Sequence, residues 1–239
     1  MKIEFIPSTE DAKSFEKPKP AKSFIPKWYK SMKREVSGSK PISATSDVRV
    51  ENTEIVSRPT LKTCVPVQDY MISGYMIPLW LELITERTDK GINFTWKNGD
   101  QDVIGSHSGF QIENSPLEKH LEGNTLYKLN SPWSIRTPKG YSCLFFSPFY
   151  HDTPFKILPG IVDTDTYHHP NFPFVYCGTG EKTLHQIGTP IVQLLPIKRE
   201  PWLHEVIENP SLIREQYVKF HSMFLRAYKT LFHSKKDFR

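Results

Sequence analysis

From residue 60 onward, apolar and polar positions follow one another in short alternating or wholly apolar runs, each closed by glycine, proline, asparagine or aspartate. That is the rhythm of β-strands that bury one face or both. It predicts strands over 63–66, 75–84, 92–96, 108–112, 126–129, 133–137, 142–146, 155–162, 172–176, 183–187 and 190–196. Turns at Asp89-Lys90-Gly91, Lys97-Asn98-Gly99-Asp100 and Pro138-Lys139-Gly140 support hairpins between them, because glycine supplies the positive φ that tight turns require. The expected product is a mainly β chain with an antiparallel barrel or sandwich over residues 60–199.

The two ends read differently. Residues 1–7 alternate like an edge strand, and Pro18, Pro20 and Pro26 then interrupt any helix until a turn or two over 27–33. Trp28 and Tyr29 sit there side by side in a basic context. Residues 36–46 are small and polar and read as a connector. Residues 1–46 are therefore expected to form a basic, aromatic arm with a linker. At the other end Asn209-Pro210-Ser211 opens a stretch in which Ile213, Tyr217, Phe220, Phe224, Ala227 and Leu231 recur at three- and four-residue steps. That spacing predicts an amphipathic helix of roughly 24 residues within 209–235. Its aromatic stripe has three readings: packing on its own domain, an oligomer seam, or a helix for a partner's groove. Trp28, Tyr29, Phe220 and Phe224 are the candidate partner-binding residues.

Composition narrows the functions. The 239 residues are 38% hydrophobic and 24% charged, enough for a sizeable core, and 20 prolines against 12 glycines favour strand ends and ordered loops. No run approaches the ~20 apolar residues of a membrane helix, and the first residues lack the apolar core of a signal peptide. No membrane partner is expected. Cys64, Cys143 and Cys177 are odd in number and form no Cys-x-x-Cys pair, which argues against a disulfide framework or a structural zinc. The net charge of +5 is unevenly placed, with eight basic residues and one acid between Lys13 and Arg34. Such a stretch is either a solvated surface or a contact for nucleic acid or an acidic protein.

Two segments carry most of the candidate chemistry. Gly160-Ile161-Val162-Asp163-Thr164-Asp165 and Gly188-Thr189-Pro190-Ile191-Val192-Gln193-Leu194 resemble the third and fourth motifs of the dUTPase and dCTP deaminase superfamily. Thr137-Pro138-Lys139-Gly140-Tyr141 matches the turn before that family's second motif, and Asp69 to Tyr75 is a weaker echo. The resemblance implies a dUTPase-like fold, with a jelly roll as the other antiparallel candidate. It also implies Asp163 as general base, with Asp165, Tyr167 and Gln193 as ligand-binding residues and Mg²⁺ as cofactor if a nucleotide binds.

The sequence departs from the family at defined places. Phe149 and Tyr150 follow Pro148 where a basic residue and a hydroxyl would meet phosphate, and a ring donates no charge-assisted hydrogen bond. The ring expected in the third motif is shifted by one residue at Thr166-Tyr167, His168-His169-Pro170 replaces a glycine, and no glycine follows Gly188 to form a phosphate-covering arm. Asp-x-Asp at a turn also has a purely structural use as a backbone cap.

A second chemistry would draw on His151, Asp152, His168, His169 and His185 as a β-barrel metal site of the oxygenase kind. His151 and Asp152 are adjacent and would point to opposite faces of a strand. No Gly-x-Ser-x-Gly is present, and no cysteine has a nucleophile's neighbourhood.

Over nearly its full length the chain resembles a family of uncharacterised proteins of tailed, T4-like phages and some bacteria. The carriers are Lys19-Pro20-Ala21, Ile25-Pro26-Lys27-Trp28-Tyr29-Lys30, Pro132-Trp133-Ser134-Ile135, Gly140-Tyr141-Ser142, and the Gly160 and Pro190 segments. This implies a phage-type protein placed in the host cytoplasm or the virion. The leading expectation is a non-enzymatic binding or structural protein, without cofactor, that forms a homo-oligomer or docks on a phage or host protein. The competing one is a nucleotide-binding or nucleotide-hydrolysing protein.

Overall fold

The structure, a computed structural model, describes residues 1–38, 56–97, 102–121, 125–222 and 227–239. The expected turn at 97–100 and most of the 36–46 connector lie outside them. The strands are β1 Glu4–Pro7, β2 Lys19–Pro20, β3 Glu35–Gly38, β4 Val56–Pro59, β5 Tyr75–Pro78, β6 Leu83–Thr88, β7 Gly91–Trp96 and β8 Ile104–Ser108. They continue as β9 Thr125–Asn130, β10 Trp133–Arg136, β11 Tyr141–Phe146, β12 Phe155–Ile157, β13 Gly160–Val162, β14 Asn171–Tyr176, β15 Lys182–His185 and β16 Pro190–Lys198. The chain is mainly antiparallel β. It divides into two compact units, Met1–Phe24 with Ser73–His204 and Phe238–Arg239, and Ile25–Ile72 with Glu205–Asp237.

The first unit holds a five-stranded sheet in the order β13-β11-β16-β5-β2, a four-stranded sheet β12-β14-β9-β8, a three-stranded sheet β15-β6-β7 and the pair β1-β10. Alternation places the core. In β12 Phe155 and Ile157 are buried and Lys156 between them is exposed, while β14 buries Phe172 and Phe174. Phe174 meets Phe94, Tyr127 and Phe155 with ring centroids 5.9, 5.8 and 5.5 Å apart. Each such ring contributes roughly 1.5–3 kcal/mol by leaving water. β16, paired with β11 on one side and β5 on the other, buries Ile191, Val192, Gln193 and Leu194 in succession, as a central strand covered on both faces does.

The structure corrects several sequence expectations here. The run 75–84 breaks at Pro78 into β5 and β6, which belong to different sheets, and 155–162 breaks at Pro159 into β12 and β13, again in different sheets. Both breaks fall where proline removes a ladder donor. Of the expected strand 108–112 only Ser108 is in a strand, the end of β8, and Gly109–Ile112 form a 3₁₀ turn. The first 24 residues are not a separate arm: β1 pairs with β10, β2 pairs with β5, Ala12 and Ala21 are fully buried, and the Trp133 indole donates to the Glu16 carbonyl at 3.2 Å.

In the second unit helix α1 spans Lys27–Ser31, α2 spans Val65–Ile72 and α3 spans Ser211–Ser222, beside the β3-β4 ladder. The expected strand at 63–66 is instead the end of a 3₁₀ turn, Leu61–Thr63, and the start of α2, where Pro66 suits a first helical turn. Lys62 fixes α1 by donating from Nζ to the Tyr29 and Lys30 carbonyls at 2.5 and 2.7 Å, a cation on the negative end of a short helix. The Asp69 carboxylate on α2 accepts from His233 Nε2 at 3.1 Å and from Lys236 Nζ at 2.7 Å, which ties the C-terminal tail to that helix. Of the expected 24-residue helix, α3 forms twelve residues and Tyr228–Phe232 forms a π-helical turn. Phe224 lies outside the described residues.

Candidate functional site

β11 runs between β13 and β16, in a register that sets Cys143 opposite Val162 on one side and Pro196 on the other. Ser142 is therefore beside Asp163, the residue that follows β13, and Arg199 leaves the end of β16 on the same edge. Ser142 Oγ donates to Asp163 Oδ1 at 2.6 Å. The Gly140 amide, in the turn before β11, donates to Asp165 Oδ2 at 2.8 Å. Gly140 has φ +84°, a left-handed value that favours glycine.

Arg199 closes the cluster. Its Nη1 donates to Asp165 Oδ1 at 2.9 Å and to Ser142 Oγ at 3.0 Å, lies 3.1 Å from Asp163 Oδ1, and its Nη2 bonds Asp165 Oδ2. The Arg199 amide also donates to the Gly140 carbonyl at 2.9 Å. The Asp165 side chain is 3% exposed. The Arg199 guanidinium, and after it the Gly140 amide, holds the Asp165 carboxyl at about 2, below its ordinary 3.8, and Arg199 is raised in return.

Chemically this is a clamp. A carboxylate that weakly basic, with both oxygens engaged, does not take a proton from water near neutrality. The turn itself is capped from within, since the amides of Thr166 and Tyr167 both donate to the Asp163 carbonyl, at 3.0 and 2.9 Å. Asp163 differs from its neighbour in being 61% exposed, so its outer edge faces solvent beside Ser142.

Of the other expected ligands, Tyr167 belongs to the same turn and Gln193 does not converge on it. Gln193 is 2% exposed and donates from Nε2 to the Ser73 carbonyl at 2.9 Å. It pairs with Phe146, four residues along β11 from Ser142, a separation of about 13 Å along the strand. The bond to Ser73 gives it a structural part, tying β16 to that residue. Tyr167 is 54% exposed. At the degenerate phosphate motif, Phe149 is 78% exposed and packs edge-on against Tyr150, and neither supplies a cation.

The histidines are spread over separate structural duties. His168 Nδ1 donates to the Thr164 carbonyl at 3.0 Å, and His169 Nδ1 meets Ser134 Oγ at 2.8 Å. His185 is buried, with Nε2 3.0 Å from Thr85 Oγ1 and 3.2 Å from Tyr176 Oη. Among the described residues no three His, Cys, Asp or Glu side chains are placed to hold a metal ion. A groove lined by Glu82, Ile84, Thr95, Trp96, Lys97 and Leu184 encloses about 180 Å³, smaller than the roughly 300–1,000 Å³ of small-molecule pockets.

The partner-binding candidates separate as well. Trp28 is 42% exposed, whereas Tyr29 is buried, its ring beneath the Lys62 ammonium at 5.0 Å. Phe220 is 43% exposed. What the sequence reading passed over lies just before α3. Trp202, Leu203, Val206 and Ile207 are 88, 99, 81 and 59% exposed, and every residue from Glu200 to His221 is exposed. The signal was present as two apolar pairs four residues apart, in a stretch that reads as a connector. Arg199, the clamp's cation, carried no motif.

No protein-family profile and no curated protein matches the chain. Among solved structures the chain is similar to a mutant dUTPase from phage phi11 of S. aureus, at 10% identity and a TM-score of 0.30, over 58% of this chain and 85% of that one. Nothing about activity is transferred from it. No described helix is long and apolar enough to cross a membrane.

Proposed function

We propose that the chain is a non-enzymatic binding and structural protein, of the phage type its sequence resemblance implies, that self-associates or docks on a partner protein through residues 202–220. One observation carries this: nine large apolar side chains in that stretch, from Trp202 to Phe220, stand exposed. At about 100 Å² each they leave about 900 Å² of apolar side chain in water along one stretch of chain, against the ~800 Å² per partner that a stable interface buries. The acidic turn supports the same reading from the other side, because Arg199 engages the carboxylates that hydrolysis would need.

The 61% exposure of Asp163 favours the competing reading, a nucleotide-binding protein with Mg²⁺. Light-scattering mass against concentration separates the two. An oligomer that dissociates on Trp202→Ser with Ile207→Ser, at unchanged melting temperature, supports assembly, because neither side chain is buried in its own chain. A monomer that recovers no partner and is stabilised by a nucleotide overturns it.

A further inference from the structure

Resting on that assembly reading, we infer that the occupant of the exposed arm is a second copy of this chain, the acidic, apolar residues 200–209 of one copy lying on the basic residues 27–34 of the other. The two stretches are complementary in composition. Glu200 to Asn209 carries three carboxylates and no lysine or arginine, while Lys27 to Arg34 carries four cations and no acid. Each also presents exposed tryptophan, Trp202 in the first and Trp28 in the second.

Among the described residues most of these charges have no ion pair. Glu200 is paired with Lys198, but among the described residues Glu205 and Glu208 have no ion pair, and neither do Lys27, Lys30, Lys33 and Arg34, all of which are exposed. An apolar strip with unpaired carboxylates and a basic helix with an exposed ring form an electrostatically matched pair, of the kind that selects a partner.

The strip is accessible along its length. Arg199 is fastened by backbone and side chain to Gly140, Ser142 and Asp165, so the chain is fixed up to that residue. From Glu200 to Pro210 it carries no helix or strand and is exposed throughout. Reciprocal exchange by a two-fold axis would use both arms and both basic stretches; the four exposed apolar side chains of each arm, at about 100 Å² each, bring about 800 Å² from the two arms before the basic stretches are counted.

The test is sedimentation velocity on the full chain over a concentration series at low and high salt. The expected result is a dissociation constant that rises with salt, and that rises about tenfold in Glu205→Lys with Glu208→Lys and again in Lys30→Glu with Lys33→Glu. The four changes combined are expected to recover most of the loss, which misfolding would not do. An oligomer weakened by Trp202→Ser with Ile207→Ser but indifferent to both charge reversals overturns the acidic-on-basic pairing and leaves the assembly reading standing. A wild-type monomer at every concentration overturns the second-copy occupant.

Discussion

The Arg199 guanidinium meets the Asp165 carboxylate side-on, Nη1 to Oδ1 at 2.9 Å and Nη2 to Oδ2, and the same Asp165 Oδ2 accepts the Gly140 amide. Three chain segments far apart in sequence are joined at one carboxylate. Because Arg199 and Gly140 hold that carboxyl at about 2 rather than 3.8, the folded state releases its proton more readily than the unfolded chain. The sign follows: the stabilisation is complete above about pH 4 and is lost as pH falls from there toward 2. Asp165→Asn is expected to melt below the wild type at pH 6, with the gap narrowing toward pH 2. A gap that stays constant over that window would remove the clamp's role.

A second prediction concerns the meeting of β5 and β16. Gly74 has φ +71°, and a Cβ placed there would stand 1.9 Å from the Leu194 carbonyl oxygen, a backbone atom of the central strand. Gly74→Ala combines an unfavourable left-handed conformation with displacement of that strand. The expected loss is about 3 kcal/mol, or roughly 6–12 °C in melting temperature for a chain of this size. Gly160→Ala, where nothing lies within 4 Å, is the matched control and is expected to melt near the wild type.

These two sites show what was legible in the sequence. Alternation exposed the strands because burial on one face leaves a period of two, as Phe155, Lys156 and Ile157 display. Gly140 was readable as a turn because positive φ has a residue preference. Which strands share a sheet was not readable, because pairing of β1 with β10 or β2 with β5 joins residues more than fifty positions apart. The acidic turn was visible as Asp163 and Asp165, but its meaning depended on Arg199, 34 residues from Asp165 and without a motif of its own. Gln193 and Tyr29 are both buried for a common reason that pattern alone does not show: polar and aromatic groups serve in cores when a carbonyl or a cation satisfies them.

The Thr85, Tyr176 and His185 triangle gives a third prediction. Thr85 Oγ1 and Tyr176 Oη lie 2.7 Å apart, both reach His185 Nε2, and burial lowers the pKa of that imidazole below its ordinary 6.5. The folded state therefore resists protonation that the unfolded chain accepts, so this contribution is complete above about pH 6.5 and declines as pH falls below it. His151, lowered by burial too, adds in the same direction. Melting temperature is expected to fall between pH 7 and 5, and in a proton NMR titration His185 and His151 should titrate below the ordinary 6.5. Tyr176→Phe leaves two buried partners short of a hydrogen bond and is expected to cost about 1–3 kcal/mol. Titration of His185 at or above 6.5 would contradict the burial argument.

The last prediction separates a scaffold from a nucleotide enzyme. A triphosphate needs cations or amides around its oxygens, and the position that would supply them carries Phe149 and Tyr150. The cation that does stand at the acidic turn, Arg199, is bonded to Asp165 and Ser142. Deoxynucleoside triphosphates with Mg²⁺ are therefore expected to leave the melting temperature unchanged. A ligand at one hundred times its dissociation constant would add about 2.7 kcal/mol, or roughly 5–10 °C here, so the experiment has ample range. A rise of that size which disappears in Asp163→Asn would establish a nucleotide site at the acidic turn. A rise that survives Asp163→Asn would locate binding elsewhere on the chain, and a flat response with an intact oligomer would leave residues 202–220 as the working surface.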